Sequence, residues 1–197
     1  MAVETWASIE KTALWALEHA QELSPGGRVE RMRPLLRLWT YSSEGTYTAW
    51  TILSPMDAGD LGSPMVREVV WRRRRDEKHM ASVNRKHLLR TKPQSTIRIR
   101  DAEISSDELG PFLQTAARLF VPTILAEDPV PNSDACGIEG YGPLAYLRME
   151  WQGPCPVEWA QSVAWVTDLR KLLVASLIER EEEPDGQSPA AHPSSHP

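Results

Sequence analysis

Hydrophobic and polar positions alternate along this chain with two distinct periods. In residues 2–23, Trp6, Ile9, Ala13, Leu17 and Ala20 recur three or four apart, which predicts an amphipathic helix with one apolar stripe. Ser24-Pro25-Gly26-Gly27 ends it. Leu35–Tyr41 and Tyr47–Leu53 are rich in β-branched and aromatic residues, and Ser42–Thr46 between them has turn chemistry, so the pair predicts a β-hairpin. After the Pro- and Gly-containing stretch SPMDAGDLGSP, the run MVREVVWRRRR predicts a third strand over 65–75. Residues 76–89 are polar and read as a weak helix or an irregular loop. In STIRIR, Ile97 and Ile99 face one way and Arg98 and Arg100 the other, as in a strand.

A second helix opens at Ser105, which has the capping-box spacing to Glu108. Leu109, Phe112, Leu113, Ala116 and Phe120 form its stripe, and Pro122 stops it. Residues 126–134 read as a loop. Gly137, Gly140 and Gly142 read as a glycine turn that feeds a strand over 144–151. A third helix is expected from Pro156, with Trp159, Val163, Val166, Leu169, Leu173 and Leu177 on its buried side. The remainder, EREEEPDGQSPAAHPSSHP, is acidic and proline-rich without a large apolar residue, so 180–197 is expected to be a disordered tail. This order predicts a single α+β domain over 1–179. It comprises an N-terminal helix at 2–23, then an antiparallel sheet with helices packed mainly on one face over 35–178.

Composition narrows the class. The chain has 197 residues, 41% of them hydrophobic and 25% charged, ordinary values for a globular protein. No apolar run reaches the roughly 20 residues that a membrane-spanning helix needs, and Glu4 and Glu10 interrupt what would be a leader. With only two cysteines, a disulfide framework is not expected, and a reducing cytoplasm is. The eight tryptophans predict a tryptophan-rich core. Trp15 and Trp165 fall off the main stripes of their helices and are the candidates for a homo-oligomer interface.

Charge adds the main functional signal. The formal net charge is -5, yet from Arg67 to Arg100 twelve Lys and Arg stand against three acids, a local balance of +9, while the rest of the chain has ten basic and 24 acidic residues, a balance of -14. Such a centre attracts an anionic partner or pairs with the protein's own carboxylates. If 67–75 is all strand, Arg72 and Arg74 share one face. Arg98 and Arg100 extend the patch from the alternating strand.

Catalytic patterns are sparse. G-x-x-G-x-G at 137–142 is not a dinucleotide fingerprint and precedes a strand, whereas a phosphate loop leads into a helix N-terminus. Cys136 and Cys155 lack the clustered spacing of a zinc site, and His192 and His196 are too sparse to build one, so no metal and no cofactor are expected. Cys155, between two prolines near a helix start, is the better placed of the two thiols for reactivity. Arg148 and Glu150 fall on one face of a strand and read as a surface pair.

The runs VREVVWRRRRDEKHM, STIRIRDAEISSDELGPFLQTAARLFVP and GIEGYGPLAYLRMEWQGPCPVEWAQSVAWVTDLRKLL resemble, in their order, a loosely defined group of small bacterial α+β proteins with no established activity. Val70-Trp71, Val121-Pro122, Gly137 to Gly140 and Pro156 to Trp159 carry the resemblance, which spans residues 66–177. It implies the same fold and no particular chemistry. Where that group has an acidic or neutral residue after the tryptophan, this chain has Arg72 to Arg75.

These features predict a binding or accessory protein of the immunity or defence kind, not an enzyme. Its basic sheet face, Arg72, Arg74, Arg98 and Arg100, would engage an acidic protein in preference to nucleic acid. The competing expectation is a small hydrolase or transferase using His79, His87 or Cys155 from distant parts of the chain.

Overall fold

The computed structural model describes residues 5–23, 32–56, 63–86, 95–116, 118, 133–142 and 148–182. Its elements are α1 (Trp6–Glu18), β1 (Met32–Tyr41), β2 (Thr46–Pro55), β3 (Met65–Arg72), α2 (Arg73–Lys86), β4 (Arg98–Glu103), α3 (Ser106–Ala116), β5 (Ala135–Gly140), β6 (Arg148–Gln152) and α4 (Ala160–Glu182). Short 3-10 turns at Ala20–Glu22 and Val157–Trp159 follow α1 and precede α4. The strands form one six-stranded sheet in the order β4-β3-β2-β1-β5-β6. Every pairing in it is antiparallel, and the fold is α+β.

Register explains how two cores arise on one sheet. Leu36 and Leu38 of β1 lie across from Ile52 and Trp50 of β2, and Ile52 lies across from Val66 of β3. That face meets α3 through Leu109 and α4 through Leu169, Leu173 and Leu177. The intervening positions, Trp39, Ala49, Val69 and Trp71, point the other way and bury Ala13, Ala16 and Leu17 of α1. The central strands are therefore apolar on both faces and need a cover on each. α3 and α4 supply one cover and α1 the other.

Several elements differ from their sequence expectation. The third strand ends at Arg72, and the next fourteen residues are helix. Asp76 sits in the first turn of α2, where a carboxylate complements the helix dipole. It is 4% exposed and accepts bonds from Trp71 Nε1 at 2.9 Å and Thr96 N at 2.8 Å. Arginine is itself a good helix former, so the arginine run yields to helix once Asp76 is anchored.

Gly137 to Gly140 is strand β5, not a turn. A Cβ at Gly137 would stand 2.0 Å from Cζ2 of Trp39, its neighbour across β1, so glycine is required there by the indole lying on the backbone. The turn comes later, at Gly142, with φ of 62°. Strand β6 begins at Arg148, and residues 144–147 of the predicted strand lie outside the described residues. Helix α4 continues to Glu182, past the expected start of the tail. Residues 183–197, 126–132, His87 and Val121-Pro122 also lie outside the described residues.

The tryptophans divide sharply. Trp165 is 8% exposed and donates from Nε1 to the Phe112 carbonyl at 3.2 Å, which makes it a core anchor between α4 and α3 and not an interface residue. Trp15 is 42% exposed and stacks on His19, ring centroids 5.2 Å apart. Trp165→Ala is expected to lower unfolding free energy by about 3–5 kcal/mol, and Trp15→Ala to change it by no more than about 0.5 kcal/mol. Urea unfolding of the two variants checks both values.

Candidate anion-binding cleft

Two adjacent cross-strand rows of β3 and β4 share one face of the sheet. Glu68 lies across from Arg100 and Val70 from Arg98. At the strand end, the Thr96 hydroxyl reaches the Arg72 carbonyl at 3.4 Å. With Arg75 from α2 these residues line a cleft of about 380 Å³. The α3–α4 layer begins one row further on, at Val66 and Ala102, which belong to its core.

The floor is a satisfied carboxylate. Glu68 is 4% exposed, and both of its oxygens are engaged. Oε1 accepts Trp50 Nε1 at 3.1 Å, and Oε2 accepts Arg100 Nε at 2.7 Å. The walls are guanidinium groups. Among the described residues Arg72 and Arg75 are exposed and form no ion pair. Guanidinium keeps its charge at any ordinary pH and presents several N–H donors in a rigid fork. The lining of the cleft is thus dominated by fixed positive charge and N–H donors.

Four consecutive arginines point in different directions, and the strand-to-helix junction is the reason. Arg72 ends the strand on the cleft face. Arg73 turns back to α1, with Nε 3.1 Å from Glu10 Oε1 and its guanidinium 5.6 Å from the centre of the Trp6 ring. Arg74 packs against the β1–β2 turn: its N–H donates to the Gly45 carbonyl at 3.3 Å, and a Cβ on Gly45 would stand 2.7 Å from its own. Gly45, at φ of 87°, satisfies both the turn and this close approach. Arg75, one helical step from Arg72, returns to the cleft.

Of the predicted residues, Arg72, Arg98 and Arg100 come together, and Arg74 does not line the cleft. Strand alternation would pair 72 with 74, but the strand ends at Arg72 and α2 begins at Arg73, so Arg75 and not Arg74 comes round to the cleft. Arg75 was the residue missed. The signal for it was Asp76, an acid suited to a first helical turn, placed immediately after the arginines.

The other candidates sit apart from this cleft. His79 is exposed on α2, and Cys155 packs against the core beneath α4; no hydrogen bond joins them among the described residues. Arg148 pairs across strands with Glu139 at 3.8 Å, and Glu139 also holds Arg37 at 3.3 Å. Among the described residues no three His, Cys, Asp or Glu side chains assemble as a metal group. No helix among them is long and apolar enough to cross a membrane. The chain matches no family model, no curated protein and no solved structure.

Both thiols are held in the protonated form at neutral pH. Burial pushes the Cys136 thiol up, and burial together with the Glu158 charge does the same to Cys155, whose Sγ donates to the Pro156 carbonyl at 3.1 Å. A raised pKa leaves less thiolate at any given pH, and the thiolate is the reactive species. Iodoacetamide is therefore expected to label both cysteines of the native protein at pH 7 more slowly than it labels an unstructured cysteine peptide. The rate should rise only as pH passes above the ordinary thiol range, as intact-mass kinetics would record.

Proposed function

We propose that this chain is a binding protein whose cleft between β3, α2 and β4 captures an anionic group presented by an acidic protein partner. The observation that carries this reading is the convergence of Arg72, Arg75, Arg98 and Arg100 from three elements on one concave surface. Arginine is well suited to such a site because its fork matches carboxylate and phosphate oxygens. The chemistry of the lining also favours a protein over a nucleic acid as the partner. Among the described residues the lining is Glu68, Val70, Arg72, Arg75, Thr96, Arg98 and Arg100, none of them aromatic, whereas single-strand recognition stacks bases on aromatic rings. Set within a chain of net charge -5, a local basic site steers one acidic surface toward itself without attracting polyanions over the whole molecule.

Binding of a fluorescein-labelled acidic decapeptide, followed by anisotropy at about 0.15 M ionic strength, where charges more than about 8 Å away are largely screened, tests the reading. Arg72→Glu/Arg75→Glu is expected to weaken binding by about tenfold or more, equivalent to about 1.4 kcal/mol. Arg74→Glu, outside the cleft, is expected to stay within about twofold. Equal weakening by both variants would show attraction to diffuse charge and reject the cleft.

A further inference from the structure

Resting on the reading of the cleft as an anion site, we infer that the anion it takes is a phosphate monoester dianion, borne on a side chain of the partner protein. The first reason is the supply of donors. A carboxylate offers two oxygens, which one guanidinium fork and one further donor largely occupy. The cleft brings Arg72, Arg75 and Arg98 around Thr96, with Arg100 behind them on Glu68. A phosphate monoester presents three strong acceptor oxygens and about −1.5 to −2 charge at pH 7, which matches more than one guanidinium fork at once.

The second reason is the charge on the floor. Glu68 is a buried carboxylate of the same sign as the incoming ligand. Its charge opposes the pull of the four guanidiniums, and what remains of their attraction grows with ligand charge, so a dianion gains about twice what a monoanion gains. The third reason is size. About 380 Å³ accommodates a phosphorylated side chain and the atoms flanking it, not a long run of a polymer.

The groups that face the ligand site are Glu68 and Arg72 from β3, Arg75 from α2, Thr96 from the segment before β4, and Arg98 and Arg100 from β4, with Asp76 behind Thr96. The arginines stay charged throughout, so the phosphate's own second ionisation near pH 6 governs affinity. Comparison with a carboxylate peptide of matched charge isolates that ionisation of the ligand from the response of the protein itself.

The experiment is calorimetric titration of the full chain with three short neutral peptides that differ at their centre: phosphoserine, serine, and a Glu-Glu pair. The phosphoserine peptide is expected to bind at least about tenfold more tightly than the Glu-Glu peptide at pH 7.5. Between pH 5.0 and 7.5 its affinity should rise by about threefold to tenfold relative to the Glu-Glu peptide, as the dianion forms. Arg72→Lys/Arg75→Lys, which keeps the charge and should leave the fold intact, is expected to lose about tenfold for the phosphopeptide through loss of the forks. Equal affinity for the phosphoserine and Glu-Glu peptides, a flat relative pH profile, or undiminished binding by the lysine variant would overturn the phosphate assignment while leaving the anion site standing. Failure of both anionic peptides to bind would remove the anion site itself. Inorganic phosphate binding as tightly as the phosphopeptide would overturn the partner-borne source.

Discussion

Two adjacent residues of β3, opposite in charge and opposite in direction, fix the edge of the sheet and everything built on it. Arg67 and Glu68 each pair with the residue directly across on β4, Asp101 and Arg100. Arg67 is fully buried and forks onto Asp101 at 2.8 and 2.7 Å; its remaining nitrogen donates to the Ala20 carbonyl at 3.0 Å and to that of Leu23, closing the C-terminal end of the first helical segment. Glu68 performs the mirror role on the other face. A slip of β4 by one residue would set Arg67 opposite Arg100 in one direction, or Glu68 opposite Asp101 in the other. Either slip brings like charges together and turns every β4 side chain to the wrong face. Removing one member of such a buried pair leaves an uncompensated charge, a loss of about 3–5 kcal/mol.

This lock determines the candidate site. RIRDAE is a polar edge strand with little apolar content to hold it by burial. Ion pairs on both faces give it a unique register, and that register puts Arg98 and Arg100 on the same side as Arg72. Asp76 then sets where the strand stops and α2 starts, and so decides which of the four arginines joins them. The resulting patch has this composition because Arg73 turns to Glu10, while Arg74, whose backbone N–H meets the Gly45 carbonyl, does not line the cleft.

Local periodicity made much of this fold legible. The stripe of α1, the β1–β2 hairpin, the Ser105 start of α3 and the long stripe of α4 all repeat within a few residues, so they were readable without tertiary knowledge. What could not be read depended on contacts remote in the chain. Gly137 owes its identity to an indole that approaches from β1. The junction at Arg72 depends on a carboxylate bridging Trp71 and Thr96. The second apolar face of β1–β3 was visible as Trp39, Ala49, Val69 and Trp71, yet only the register shows these side chains to be one surface beneath α1. Of the basic patch, the strand residues followed from alternation, and Arg75 did not because its period changes from two to three at the junction.

The central claim is that Arg67 and Asp101 act on each other and not merely as two separately useful polar groups. A double-mutant cycle with Arg67→Met, Asp101→Asn and the pair, measured by denaturant unfolding, tests it most directly. A coupling free energy above about 1 kcal/mol is the predicted result, and additivity within about 0.3 kcal/mol would contradict the account.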